Sequence, residues 1–455
     1  MSEPNEILGR LVEEAKMSLA GLARRVNDLG GLVGMNLAYD YTAPYRWIKL
    51  GQQPRRPGVP TLIAQALSER LGRPLTAPDI GMVDSATDAG LGLVYDDDLG
   101  ATVNTLGRPW KADLDEVPEL AGAVVNGTAW IDATLSWLVQ SEPGELPTHL
   151  DPGKVGAVDV AAVRATVDAF AQLDNRFGGG HARRALIPYL RSDLARLLRG
   201  QYTEQTGRDL FSVAAEATLL AAWTSYDAGR HAVAQRYFVQ ALRLAQAADN
   251  VLLAGSIMDA MSHQATFLGR HREAVNLARA ARTGTKTRTT ATLTAHFHAM
   301  EARALAAGRD SAGAQKALGE AVRVFEQRRP SEDPEWIGYF DDAELNAEFS
   351  HCYGDLGQPA DAIRYAEQSL AFAGTSPRSD FFVTMVLASG HLARDVDKAC
   401  GAARQALDLG IQLKSARCVG YLRRFRETLA PYADTEAVRE LDEYGRDHPL
   451  WIASS

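Results

Sequence analysis

The sequence is short of cysteine: Cys352, Cys400 and Cys418 are its only three among 455 residues. An odd number without metal-ligand spacing excludes a disulfide framework and a cysteine metal site, and the three read as free, small packing residues of a cytoplasmic protein. There is no run of about 18 apolar residues, so no membrane span is expected. The opening MSEPNEILGR lacks the basic flank and apolar stretch of a secretory signal. Enzyme motifs are missing too. No HExxH, GxxxxGK[ST], GxSxG or CxxC occurs. The acidic cluster Asp96–Asp98 is not followed by carboxylates at calcium-loop spacing and reads as a solvated turn. No catalytic residue, metal ligand or cofactor is therefore expected, and the chain reads as a binding protein.

What is present begins with an uneven charge. Residues 1–81 carry 10 basic against 8 acidic side chains, and within 42–73 six basic residues face Glu69 alone. Residues 82–150 hold 2 basic and 12 acidic residues. A locally basic module in an acidic chain suits a nucleic-acid contact surface. Three segments follow: a basic module over 1–81, an acidic linker and helical middle over 82–150, and a long helical region over 151–455. In the middle segment, 101–114 and 119–139 have helical patterns.

From about residue 213 the chain repeats itself. Ala234, Ala274, Ala314, Ala362 and Ala399 align at intervals of 40, 40, 48 and 37. Four residues on stand Phe238, Ala278, Leu318, Ala366 and Ala403, and three further on Ala241, Ala281, Ala321, Ser369 and Ala406. This spacing puts the three columns on one face of the second helix of each unit. Twelve residues before the first column come Ala222, Ser262, Ala302, Ser350 and the larger Leu387, where small side chains let first helices pack closely. Five residues before it is a turn position holding Gly229, Gly269, Arg309, Gly357 and Arg394, suited to a left-handed residue.

Small residue, turn glycine, then Ala, a larger apolar residue and Ala resembles the tetratricopeptide repeat, although the period exceeds the family's usual 34 residues or so. The resemblance implies an all-α solenoid of about five to seven helical hairpins. Segments 158–177 and 181–199 flank it on one side, separated by Gly178-Gly179-Gly180, which either stops a helix or cradles an anion. Residues 417–428 and 434–446 are read as its C-terminal capping helices. One residue after the small first-helix position sit Trp223, His263, Arg303 and His351. The repeat family lines its concave groove there, so these four are candidate contacts for a peptide, small-molecule or protein ligand.

The N-terminal module shows helical patterns over Glu6–Lys16 and Ser18–Asn27, a loop over Asn27–Asp40, a short helix from an N-capping Thr42 to Gly51, and a helix after Pro60 closed by Gly72. This order resembles the helix-turn-helix of phage-repressor-like regulators, with about fourteen residues in a turn that normally has three or four. The resemblance implies that Leu19, Leu22, Ala23 and Val26 support an inserted helix, Ala43–Leu50. Trp47 and Ile48 would pack inward, and Thr42, Tyr45, Arg46, Lys49, Arg55 and Arg56 would meet double-stranded DNA. The stretches YDYTAPYRWIKLGQQPRRPGVPTLIAQALSERLGRPLTAPDIG and LDNRFGGGHARRAL make the whole chain resemble actinobacterial regulators that join such a head to a repeat domain. That likeness implies a cytoplasmic, homodimeric DNA-binding transcriptional regulator whose array senses a ligand; the alternative is a protein–protein scaffold whose N-terminal module no longer binds DNA. The apolar stretch around Trp130, Ile131 and Trp137 is the candidate dimer surface.

Overall fold

The computed structural model describes residues 4–32, 37–54, 58–73, 75–82, 92–93, 95, 99–115, 123–139, 144, 146–147, 152–372 and 376–455. The protein is all-helical, and among the described residues the only β-pairing is an isolated bridge between Lys154 and Gln201. No described helix is long and apolar enough to cross a membrane. The chain divides into two compact units, one of residues 1–91 with 118–123, the other of residues 92–117 with 124–455.

The first unit is built from α1 (Glu6–Glu14), α2 (Leu19–Leu32), α3 (Thr42–Lys49) and α4 (Val59–Leu71). Leu8, Leu11, Leu22, Val26, Trp47, Ile63 and Leu67 meet in its core. Ser18 caps α2 through a bond to the Gly21 N–H, at 3.1 Å. Gly72 ends α4 in the left-handed conformation (φ 67°). Two expectations need correction. Helix α2 runs beyond Asn27 to Leu32, so the connection to α3 is shorter than the composition of 27–40 suggested. Thr42 is not the cap of α3: it is the first helical residue, and the Asp40 carboxylate accepts from its N–H (2.9 Å) and its hydroxyl (2.5 Å). An aspartate two residues upstream satisfies the free amide as well as a threonine cap would.

The second unit is a series of helical hairpins. The five pairs are α9 with α10 (Glu204–Asp227, His231–Ala247), α11 with α12 (Val251–Phe267, His271–Thr285), α13 with α14 (Ala291–Ala307, Ser311–Phe325), α15 with α16 (Asp342–Asp355, Pro359–Leu370) and α17 with α18 (Pro377–Leu392, Val396–Gly410). All fifteen side chains of the three second-helix columns are buried, none more than 4 % exposed. Ala222, Ser262, Ala302 and Ser350 are fully buried, and the Ser262 hydroxyl donates to the Ala274 carbonyl at 2.8 Å, so at that unit the small residue meets the second helix of its own hairpin and not, as expected, the neighbouring first helix. The turns obey the same rule at every glycine, with φ of 76° at Gly229 and 72° at Gly269 and Gly357. At the third turn Arg309 itself takes the left-handed conformation (φ 64°), although Gly308 stands beside it. The 48-residue interval is filled by two short 3-10 turns, Pro330–Glu332 and Glu335–Ile337, which bury Ile337 and Phe340.

Before the hairpins lie α5 (Leu99–Leu114), α6 (Gly127–Val139), α7 (Ala157–Phe177) and α8 (Gly179–Tyr189); α8 continues through a π turn to Leu198. After them come α19 (Ala416–Leu429), α20 (Glu436–Gly445) and α21 (Pro449–Ala453). Helix α6 starts at Gly127, later than the pattern from 119 suggested, and it docks on α10 and α12. Cys352, Cys400 and Cys418 are buried free thiols.

The two ends of this unit meet. Arg378 of α17 pairs with Asp174 of α7 at 2.8 Å and donates to Asn175 at 3.3 Å. The Lys414 N–H donates to the Phe177 carbonyl (2.8 Å), and the Gly180 N–H to the Lys414 carbonyl (3.1 Å). The triple glycine serves both readings at once. Gly178 (φ 81°) stops α7, while the Gly179 N–H opens α8 and donates to the Asp227 carboxylate at 2.9 Å. The anion in the cradle is thus the chain's own, and the other Asp227 oxygen accepts from the Ser415 hydroxyl at 2.8 Å. A Cβ on Gly179 would stand 2.5 Å from the Thr224 carbonyl oxygen and one on Gly180 2.9 Å from that of Lys414. The stretch LDNRFGGGHARRAL is therefore a latch that closes the array into a ring.

Candidate functional site

Two places hold the sequence-predicted residues, one in each unit. On the first unit, α3 turns Pro44, Trp47 and Ile48 inward and leaves Tyr45, Arg46 and Lys49 exposed, with Trp47 at 4 % and Tyr45 at 49 %. Thr42 is half-buried by its bond to Asp40. The helix is held from below by a two-way clamp, in which the Asn27 amide accepts from the Tyr39 N–H (3.0 Å) and donates to its carbonyl (2.9 Å). The Tyr39 ring then packs edge-on against Trp47 at 5.2 Å. Arg46 lies near Asp40, whose carboxyl is held below its usual range chiefly by its bonds from Thr42, with Arg46 adding to the effect. Of the other basic residues in 42–73, Arg70 donates to the Ala15 carbonyl and Arg73 pairs with Glu14. Arg55 and Arg56 lie outside the described residues, as do Asp96–Asp98.

The second place is the inner wall of the ring. Trp223, His263, Arg303 and His351 fall on successive first helices, and all four are half-buried. Trp223 and His263 touch ring to ring at 5.5 Å, and the Tyr226 hydroxyl meets His263 Nδ1 at 3.1 Å. His263 and His351 are both held neutral: burial lowers their pKa well below the imidazole range, and nearby guanidiniums, Arg417 and Arg303 among them, press in the same direction.

The expectation of an open groove needs correction in two respects. Arg303 does not offer its charge to a ligand, because it forms a buried ion pair with Glu348 at 2.7 Å. Nor is the concave face empty, because α19, read from sequence as a terminal cap, enters it. Its apolar side (Cys418, Leu422, Phe425 and Leu429) packs into the C-terminal core. Its other side carries Arg417, Tyr421 and Arg424, which share one face at helical spacing. The Arg417 guanidinium lies over the rings of Tyr226 (4.8 Å) and Phe382 (4.4 Å). Arg424 lies over Tyr421 at 4.7 Å, and Tyr421 faces His351 at 6.0 Å. These three residues escaped the sequence reading because they belong to no repeat column. Their signal was the Arg-x3-Tyr-x2-Arg spacing inside an otherwise amphipathic segment.

Beside this wall lies a buried acid–base chain. His296 Nδ1 is 2.6 Å from Asp259, and Glu344 and Glu348 lie close by. Burial and the neighbouring Glu348 raise the Glu344 carboxyl from its usual range to about 7. The folded state thus holds this proton more tightly than the unfolded chain, so the contribution is fully present below about pH 4.5 and is lost as pH rises towards 7. Glu344→Gln removes that loss. Its stability relative to the parent should grow by about 1–3 kcal/mol between pH 5 and 8, after allowance for partial exposure. Urea melts at a series of pH values check this, and parallel curves for the two proteins would contradict it.

The exposed apolar surface of the second unit includes one face of α6, with Ile131, Leu135, Leu138 and Val139 open to solvent. Trp130 and Trp137, expected on a dimer surface, are buried instead, the latter against Gly284 of α12. Among known families, the model of the SP15 N-terminal domain matches residues 8–83, which hold α2, α3, α4 and most of α1. No curated protein matches the chain.

Proposed function

We propose that the protein is a DNA-binding transcriptional regulator, with a head of helix-turn-helix type and a tetratricopeptide-type ring that senses a ligand. The observation that supports this reading is α3: a short helix anchored by Trp47 and Ile48, clamped through Asn27 and Tyr39, with Tyr45, Arg46 and Lys49 all exposed on it. A helix so held presents a base-reading face and cationic contacts to a major groove. One such helix reads only a few base pairs, so two heads are required for a specific site. The exposed face of α6 is the natural surface for pairing.

Full-length protein titrated against genomic duplex fragments should bind with an affinity that falls steeply with salt. Light scattering on the complex should give two chains per duplex. Arg46→Ala with Lys49→Ala should weaken binding by about 1–3 kcal/mol for each side chain removed and flatten the salt dependence. Unchanged affinity in the double variant would sink the assignment of α3. The absence of any bound fragment would leave the scaffold reading in its place.

A further inference from the structure

Several guanidinium groups of this unit that are withdrawn from water pair with carboxylates, and two on α19 do not. Arg183 pairs with Asp113, Arg282 with Glu301, Arg303 with Glu348 and Arg378 with Asp174. Arg417 is half-buried and lies between two aromatic rings, yet no described carboxylate is within ion-pair distance and its Nε is buried without a hydrogen-bond partner. Arg424, seven residues on, lies over Tyr421 and also forms no ion pair or hydrogen bond among the described residues. Asp355 is close enough to feel both Arg303 and Arg424 and pairs with neither. Asp174 likewise feels Arg417 without pairing with it, so the half-buried Arg417 has no directly bonded counter-charge, which is unfavourable. The flat faces of both guanidiniums lie against rings, Arg417 over Tyr226 and Phe382 and Arg424 over Tyr421 and Phe267, which leaves their N–H edges for an anion to engage.

We infer that Arg417 and Arg424 form a binding site for a small organic polyanion, carboxylate or phosphate, inside the ring. Seven helical residues separate the two guanidiniums by about 10 Å along the axis, so the ligand that engages both is elongated, with anionic groups at two positions. Arginine edges recognise carboxylate and phosphate by paired N–H bonds. His263 and His351, neutral in the free protein, lie close by, since Arg417 acts on both imidazoles and Arg424 on His351. Arg424 is solvent-exposed, while Arg417 is half-buried. This inference rests on the reading of the ring as the sensing domain and names what it senses.

The test uses the full chain without DNA, with tripolyphosphate and citrate as probes in calorimetric titrations at low salt. Saturable binding is expected, weakened at least tenfold by Arg417→Gln and by Arg424→Gln and unaffected by Arg323→Gln on the outer surface. Preference for one probe separates a phosphate ligand from a carboxylate ligand. Circular dichroism melts show whether each variant is folded; if Arg417→Gln fails to fold, the exposed Arg424→Gln decides. No binding of either probe, or binding indifferent to both substitutions, overturns the inference while leaving DNA binding untouched. Probe binding by a protein that shifts no duplex overturns the regulator reading and leaves the anion site standing.

Discussion

Arg378→Ala should lower the stability of the ring by about 3–5 kcal/mol, the usual consequence of stripping one partner from a buried ion pair. Asp174 is 3 % exposed, and its Oδ1 has no hydrogen-bond partner even in the intact pair. Burial already raises its pKa against the pull of Arg378. Without the guanidinium, the carboxylate must either take up a proton or draw in water, and either response loosens α7 from α17. Equilibrium urea unfolding measures the loss, and hydrogen exchange locates it. Amides of α7 and of the first turn of α19 should exchange faster, while those of α13 and α14, on the far side of the ring, keep their protection. Arg364→Ala, which breaks an exposed pair with Asp361, should cost no more than about 1 kcal/mol. If Arg378→Ala costs no more than that, the latch is not what closes the ring. Combining Arg378→Met with Asp174→Asn should recover part of the loss, because no charge is then left buried.

A loss of similar size, about 3–5 kcal/mol, is expected for Asp113→Ala. Its carboxylate is fully buried at the end of α5 and takes three donors: Arg183 of α8, Arg230 just ahead of α10 at 3.3 Å, and the Tyr237 hydroxyl of α10 at 2.7 Å. Removing it leaves a buried phenol and two converging guanidiniums without a common acceptor. The attachment of α5 should therefore fail first. Limited proteolysis should cut between 99 and 115 in the variant at protease levels that spare the parent. Asp113→Asn, which still accepts from Tyr237 but carries no charge, should fall between the two. An Asp113→Ala protein as stable and as resistant as the parent would mean that Trp110 and its apolar neighbours suffice to hold α5.

The repeat itself was legible in the sequence because packing imposes it position by position. Alanines at Ala234, Ala274, Ala314, Ala362 and Ala399 stand where two helices leave no room for more, and glycines at 229, 269 and 357 stand where the backbone turns left-handed. The third turn shows the limit of such reading. Neighbouring Gly308 invites assignment of the turn to itself, yet the geometry places Arg309 there, because the repeat register outweighs the cost of a side chain in that conformation. The inward side of α3 was legible for a similar reason, since Trp47 and Ile48 are large and apolar. What could not be read was long-range. Nothing local in Asp174, Asp227 or Ser415 announces partners some two hundred residues away, and a glycine triplet looks the same whether it receives a foreign anion or the chain's own aspartate. Arg417 and Arg424 were missed because a basic helix at the end of an array reads as a solvated cap unless one knows that it turns inward.

The closed latch also bears on how this chain can change over time. An open array gains or loses a unit at either end with little effect on the rest, since each unit touches only its neighbours. Here Phe177 must reach Lys414 and Asp227 must reach Ser415. Duplication or deletion of one hairpin would carry those partners apart by the width of a helix pair. The number of units is therefore fixed by circumference, as the number of staves is fixed in a barrel. Descendants of this chain can lengthen outward, as the segment 326–341 does between the third and fourth hairpins, but they cannot add a member to the circle without breaking it.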